Sequence, residues 1–310
     1  MIRIGIIGND KKINEHANTI KDIKGFNFAG FFNPNEIPVN GCISSNKFNR
    51  FSSHEDFLNS VDAIDIISNG STSYELVVSA LRKSKHLYIY PSLLKSYNQV
   101  LELIKLANEA NVTLMVQRAA KYNAVLNSIL ERLSDIRLIE IQHHTVTNSN
   151  KSSASVFSLI LKSLDILHTI IKSNSNNIKA CGVSIVNNNP DIINARIEFD
   201  NGCVANINCS RIALKNCHMA TFIQKNKIIK IDFNANKTQM LFPEKIHYNN
   251  KTGYKIKART YRVAPNNPLY DEFTHFRDSI INNSKSLSNL EDAFKSLLIA
   301  HKIFEKVHKN

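Results

Sequence analysis

The sequence has no apolar run that approaches the ~18 residues of a membrane-spanning helix. Residues 1–8 begin at once with a strand-like pattern, without the charged and apolar segments typical of a signal peptide. The five cysteines form no Cys-x-x-Cys pair, which argues against a zinc site, and their odd number argues against a disulfide framework. We therefore expect a cytoplasmic protein with reduced cysteines, no membrane segment and no metal site.

The sequence also lacks a cluster of basic residues, although its formal net charge is +13. Such a charge attracts polyanions. The lysines are nevertheless scattered along the chain among abundant Asn and Ile, whereas a nucleic-acid footprint concentrates its cations in one stripe. We therefore do not expect a nucleic-acid partner.

Short β-rich runs alternate with helical patterns in the first part of the chain, and 310 residues suffice for two domains of roughly 100 to 200 residues each. This alternation predicts βαβ units, whose parallel strands need crossover helices on both faces of the sheet. Residues 1–118 are expected to form a Rossmann-type, doubly wound dinucleotide-binding domain. Strands are predicted at residues 3–7, 26–32, 63–67, 86–90 and 113–117, with the clearest helices at 73–83 and 95–110.

After this domain the pattern changes to an apolar helix followed by successive strand-like segments. Asp200-Asn201-Gly202 is a strong hairpin signal between two of them. Residues 119–310 are therefore predicted to form an α+β substrate and oligomerisation domain with a large, mainly antiparallel open sheet, whose final helices pack on the first domain. Helices are predicted at 156–171, 270–282 and 289–306, and strands at 137–144, 178–186, 193–199, 203–212, 219–224, 227–233 and 237–241.

Segments from both domains carry a resemblance to a known family. The run 194–205 continues to Ser210-Arg211, residues 267–269 precede the closing helices, and residues 63–67 lead into Tyr74-Glu75. Over essentially the whole chain this pattern resembles the glucose-fructose oxidoreductase and inositol dehydrogenase (Gfo/Idh/MocA) family. The resemblance implies an oxidoreductase that uses NAD or NADP, takes a sugar-like small molecule, and forms a homodimer or homotetramer through its C-terminal sheet.

The loop after the first strand departs from the pattern of a dinucleotide site. Such a site needs glycines for a tight turn, for close approach of the pyrophosphate and for helix packing, and only the first of them is present. Asp10 would bring like charge toward the phosphates, Ile13 adds bulk at the third glycine position, and the neighbouring lysines partly offset the charge. We expect weakened or altered cofactor binding at Gly8, Asn9, Asp10, Lys11 and Lys12.

Two more positions of the implied cofactor site are changed. Asn33 stands where an acidic residue usually binds the ribose, and is alternatively a turn residue before Pro34. Tyr90 and Pro91 correspond to the first two residues of the family's Glu-Lys-Pro motif, and proline donates no hydrogen bond. A one-residue shift of this match would still leave no lysine. The resemblance also places Ser68, Asn69 and Ser73 at the cofactor.

The helix at 156–171 is where the resemblance implies an aspartate followed four residues later by a histidine base. Ser158, Lys162 and Asp165 share one helical face there. Because desolvation lowers the pKa of a lysine, Lys162 paired with Asp165 is the replacement catalyst that we nominate; the alternative is an ordinary surface ion pair. Substrate contacts are expected from Arg118, Tyr122, Arg211 and Lys215, of which the last two have a structural alternative on the sheet.

Three functions are compatible with these residues. Changes at four separate places favour a family member whose catalysis is degraded or altered, because they affect both cofactor capture and proton transfer. The alternative is an active NAD(P)-dependent dehydrogenase acting on a sugar, polyol or nucleotide-sugar hydroxyl. A basic protein that binds an anionic ligand is the third. Whether the chain is an enzyme stays open at this point, because fold does not imply function.

Overall fold

A computed structural model describes residues 1–8, 12–34, 48–67, 73–94, 96–146, 155–186, 188–248, 251–284 and 287–308. The chain divides into two compact units. The first unit comprises residues 1–122 and 267–298, and the second comprises residues 123–266 and 299–310. This division falls just after the predicted boundary at residue 118, and most of the closing helical segment groups with the first unit.

The helices α1 to α8 span, in chain order, Ile13–Asp22, His54–Ser60, Ser73–Arg82, Tyr97–Glu109, Ala124–Asn127, Val156–Ile170, Pro268–Ile281 and Leu287–His308. The strands β1 to β14 span Ile2–Ile7, Phe26–Phe32, Arg50–Phe51, Ala63–Ile66, His86–Ile89, Leu114–Val116, Ile136–His144, Ser175–Val183, Ile192–Phe199, Val204–Ser210, Cys217–Gln224, Ile228–Asp232, Lys237–Tyr248 and Lys251–Arg262. Across the described helices, no segment combines the length and apolarity required to cross a membrane.

The first unit contains a parallel sheet with the strand order β3-β2-β1-β4-β5-β6. Its central strands are mostly apolar, and all four residues of β4 are buried. Such runs suit strands that are covered on both faces. The order reverses at β1, which has β2 on one side and β4 on the other. This is the doubly wound arrangement, so the predicted Rossmann fold is confirmed.

Helix α1 packs against the core of the first unit through an apolar stripe along one of its faces. Ile13, Ala17 and Ile20 recur at helical spacing and are fully buried. They belong to the same core cluster as Phe273 and Phe276 of α7. His16 shares this buried face although it is polar. A polar side chain in such a place requires a partner inside the protein.

The second unit contains an eight-stranded sheet with the order β14-β13-β12-β11-β7-β10-β9-β8. Its neighbours pair antiparallel except for β7 and β10, so the expected mainly antiparallel sheet is confirmed. Gly202, with φ of +78°, turns the chain from β9 into β10 as the hairpin signal indicates. In β7, Ile139, Ile141 and His143 are buried while the alternate residues face outward, and α6 packs on the buried side.

The far edge of this sheet differs from the expectation. β13 continues to Tyr248, well beyond the predicted end at residue 241, and pairs over its whole length with β14. Residues 254–262 of β14 are exposed, and Tyr254, Ile256 and Ala258 alternate with lysine or arginine. This alternation is a strand signal that the prediction missed.

Candidate active site

The carboxyl ends of β1 and β4 meet at the point where the strand order reverses, which is where doubly wound sheets bind their ligands. Gly8 follows β1 and Ile67 follows β4. A Cβ atom on Gly8 would lie 2.5 Å from Ile67 Cγ1, so this turn requires glycine. The Gly8 amide donates to the Phe32 carbonyl at 3.0 Å, and the Ile67 amide donates to the Ile7 carbonyl at 2.9 Å. Five predicted cofactor residues lie outside the described residues: Asn9, Asp10, Lys11, Ser68 and Asn69.

Ile13 occupies the third glycine position without projecting toward this crevice. Its side chain is fully buried in the core of the first unit. The added bulk is therefore accommodated by core packing. Asn33, expected at the ribose, is also buried, with 4% of its surface exposed. Ser73 is the first residue of α3, and its side chain lies outside the described atoms. The ligand contacts expected from both residues stay predictions.

A buried chain of hydrogen bonds links β4, α1 and the end of β5. His16 Nδ1 lies 2.6 Å from Asp65 Oδ2, and His16 Nε2 lies 3.0 Å from the Tyr90 hydroxyl. The side chains of Asp65 and His16 are 0% and 2% exposed. An ionised carboxylate only accepts, so the network assigns the proton to Nδ1 and makes Nε2 the acceptor for the phenol. Burial raises the pKa of Tyr90, which keeps this donor protonated.

The Tyr90 ring forms a platform at the end of β5. Lys12 Nζ, from the residue that precedes α1, lies 4.8 Å from the ring centroid. The Gln117 side chain also hydrogen-bonds Tyr90. Pro91 is the first residue of a short 3-10 turn, where its missing N–H leaves no bond unmade. The site therefore has a cation at this strand end although residue 91 is not a lysine.

The predicted substrate residues of the first unit have partners within that unit. Arg118 is 3% exposed, and its Nη1 donates to Asp292 Oδ2 at 2.7 Å. Its amide donates to Glu272, which also accepts from the Tyr88 hydroxyl at 2.8 Å. The Tyr122 hydroxyl lies 2.6 Å from His275 Nδ1. These contacts give Arg118 and Tyr122 a structural role, and their contacts to substrate stay predictions.

In the second unit, the nominated catalytic face of α6 is its less buried side. Lys162 is exposed, whereas Ser158 and Asp165 are half-buried. A lysine base needs a desolvated position, and the exposed Lys162 does not have one. Its proposed role as a base therefore has no support from burial and stays a prediction.

Two histidines stack beside this helix. The rings of His143 and His218 lie 4.0 Å apart at 10°, and His218 stacks on Phe233 at 4.3 Å. Burial, the neighbouring His218 and the Lys162 charge lower the pKa of His143 to about 2. Burial and the Lys162 charge lower the pKa of His218 to about 4. Both rings are therefore neutral at physiological pH.

The remaining predicted residues lie near the sheet ends of the second unit. Arg211 Nε and Nη2 both lie 2.6 Å from Asp191 Oδ1, and this carboxylate also accepts from the amides of Ile185 and Val186. Asp191 is fully buried, so Arg211 neutralises a buried charge next to β9. Lys215 is exposed in the bend before β11.

His16 and Asp65 were not identified from the sequence, although each carried a signal. Asp65 is a charged residue inside the apolar strand β4, and His16 lies on the apolar face of α1. A buried charge and a buried imidazole each need a partner. Their pairing could not be predicted, because it depends on how α1 packs on the sheet.

Comparison with known proteins agrees with this architecture. Residues 2–118 match the model of the GFO_IDH_MocA oxidoreductase family, described as an NAD-binding Rossmann fold. A UDP-N-acetylglucosamine 3-dehydrogenase of Acidithiobacillus ferrooxidans is 21% identical over 234 residues, which are 75% of this chain and 74% of that protein.

Solved structures extend the likeness to both units. A structure of the Acidithiobacillus ferrooxidans UDP-N-acetylglucosamine 3-dehydrogenase has a TM-score of 0.88 at 19% identity, covering 99% of this chain and 98% of that chain. A dehydrogenase (MviM) from Clostridium difficile has a TM-score of 0.79 at 21% identity, covering 99% of each chain. At these identities the likeness shows a shared fold.

Proposed function

We propose that this chain is an oxidoreductase of the Gfo/Idh/MocA family, whose model matches residues 2–118, and that it binds a nicotinamide dinucleotide and oxidises a sugar-type hydroxyl with altered catalytic residues. The observation that carries this proposal is the close approach of the ends of β1 and β4, where a Cβ atom on Gly8 would overlap Ile67. The replaced residues around it change the chemistry of the site rather than its framework.

The residues of the first unit fit such a ligand. Gly8 leaves room for Ile67 at the ends of β1 and β4, and the Ile13 side chain is buried in the core and does not block the crevice. Lys12 supplies a positive charge above the Tyr90 ring at the end of β5, next to the crevice. A bound nicotinamide dinucleotide would supply the hydride acceptor. The chain would orient it through the β1–α1 turn and hold the strand end through Tyr90, His16 and Asp65.

For the substrate, we propose a nucleotide sugar. The support is the similarity to a UDP-N-acetylglucosamine 3-dehydrogenase, which extends over 75% of this chain. UDP-N-acetylglucosamine is therefore the first compound to test. Its phosphates carry negative charge, which is favourable for a protein with a net charge of +13.

A second candidate is a dinucleotide-binding protein without catalysis. The observation in its favour is that Lys162 is exposed on α6, where the family resemblance implies a histidine base. Loss of a positioned general base typically lowers a rate by about 10² to 10⁴. Such a protein would bind the ligand and act through that binding.

Direct titration with NAD(H) and NADP(H) tests the shared part of both candidates. We expect saturable micromolar binding by calorimetry at moderate ionic strength, where the charge of +13 causes little non-specific attraction. Formation of reduced nicotinamide with UDP-N-acetylglucosamine would then support the enzyme, and binding without turnover of nucleotide sugars would favour the second candidate. No binding up to millimolar dinucleotide would refute both.

We also propose that two or four copies associate through the open face of the eight-stranded sheet. The support is the alternation in β7, where Glu140 and Gln142 face away from the side that α6 covers. Light scattering of the purified protein should give a dimer or tetramer mass, and a monomer would refute the proposal. The cytoplasmic location stays a prediction.

A further inference from the structure

Two features of the first unit concern the same position, the end of β5. Pro91 stands where the family's Glu-Lys-Pro motif has its lysine, so the chain lacks that ammonium group in sequence. An ammonium group is nevertheless present next to residue 90, because Lys12 Nζ lies 4.8 Å from the Tyr90 ring centroid. Lys12 comes from the other side of the crevice, at the start of α1.

The ring beneath this cation is fixed in place. The Tyr90 hydroxyl is bound to His16, and His16 is bound to Asp65, which is fully buried. A buried hydrogen-bonded chain leaves the ring little freedom to rotate. The face of an aromatic ring attracts a cation, so the fixed ring determines where the Lys12 ammonium is held.

We propose that Lys12 supplies from α1 the ammonium that residue 91 does not, and that it donates a hydrogen bond to the reacting oxygen of the substrate beside the nicotinamide. Tyr90, His16 and Asp65 are positioning residues, because they act only by holding Lys12. The inference rests on the proposed function. The alternative is that Lys12 contacts an oxygen of the dinucleotide pyrophosphate instead of the reacting oxygen of the substrate.

A charge beside the nicotinamide has a consequence that does not depend on turnover. The oxidised ring is positively charged and the reduced ring is neutral, so a nearby ammonium disfavours the oxidised form. Because Lys12 is exposed and solvent screens its charge, we expect the affinity ratio between the two forms to change by only about tenfold. A lysine on the pyrophosphate would affect both forms equally.

The experiment measures the affinities of wild type and Lys12→Met for oxidised dinucleotide, reduced dinucleotide and ADP-ribose, which has the pyrophosphate but no nicotinamide. In Lys12→Met, we expect the oxidised form to gain about tenfold relative to the reduced form, with unchanged affinity for ADP-ribose. Lys12→Arg should keep the wild-type ratio. Tyr90→Leu removes the platform and should change the ratio in the same direction as Lys12→Met.

Lys21→Met is the matched control. Lys21 is also on α1 and its ammonium lies 4.5 Å from the Phe48 ring, but it is in the last turn of the helix. Its loss should leave all three affinities unchanged. An equal loss of affinity for all three ligands in Lys12→Met would assign the lysine to the pyrophosphate and overturn the proposal, and so would unchanged affinities. If wild type binds none of the three, the proposed function fails as well.

Discussion

Acid destabilisation of the second unit follows from the stacked pair His143 and His218. Their pKa values of about 2 and about 4 in the folded protein lie far below the ordinary value near 6.5. The unfolded chain therefore binds more protons below pH 6.5. Stability is fully present above that pH and is lost as the pH falls toward the folded values.

At pH 5 neither histidine is protonated to a large extent in the folded protein. The change in the free energy of unfolding therefore depends mainly on protonation of the unfolded chain. Between pH 7.5 and 5, each histidine should lower the free energy of unfolding by about 2 kcal/mol, or about 4 kcal/mol together. His54, His86 and His275 also have lowered pKa values through burial and add to the loss in wild type. Variants are therefore needed to isolate the stack.

His143→Phe and His218→Phe keep an aromatic ring in the stack but remove the titrating group. Urea unfolding followed by circular dichroism at both pH values should show that each variant loses about 2 kcal/mol less than wild type on acidification. His308→Gln, at an exposed position at the end of α8, should behave as wild type. If His143→Phe loses as much stability as wild type, then His143 is charged in the folded protein and the reasoning is wrong. NMR of the imidazole protons in wild type tests this directly, because the His143 ring should not titrate down to pH 5.

Three other substitutions test the packing and the buried polar groups. Gly8→Ala should cost about 1 to 3 kcal/mol in thermal unfolding, because its Cβ would overlap Ile67. The double variant with Ile67→Ala should lose less stability than the sum of the two single variants. Asp65→Ala should cost about 1 to 3 kcal/mol in urea unfolding, since it leaves the buried His16 without its acceptor, and a cost near zero would contradict the assigned network. Arg211→Met should cost about 3 to 5 kcal/mol because it leaves the buried Asp191 carboxylate without its counter-charge, and adding Asp191→Asn should reduce that cost.

Local patterns in the sequence were sufficient for the framework of both units. Apolar runs of strand length and apolar stripes at helical spacing report which side of an element is buried, and this information lies within each segment. The strands around Gly8 and the hairpin at Gly202 were therefore predicted close to their observed bounds. The proline at residue 91 and the lysine at residue 162, where the resemblance implies a lysine and a histidine, were also readable directly. β14 was not predicted, although Tyr254, Ile256 and Ala258 alternate with basic residues in its sequence.

The tertiary structure alone decided which side chains meet. Asp65, His16 and Tyr90 come from three elements, and their contact depends on the register of β4 and β5 and on how α1 packs against them. The same is true of the Lys12 ammonium over Tyr90, which depends on how the start of α1 lies against the end of β5. The residue types at a site can be read from the chain, but distances between residues remote in sequence are set by packing and side-chain rotamers.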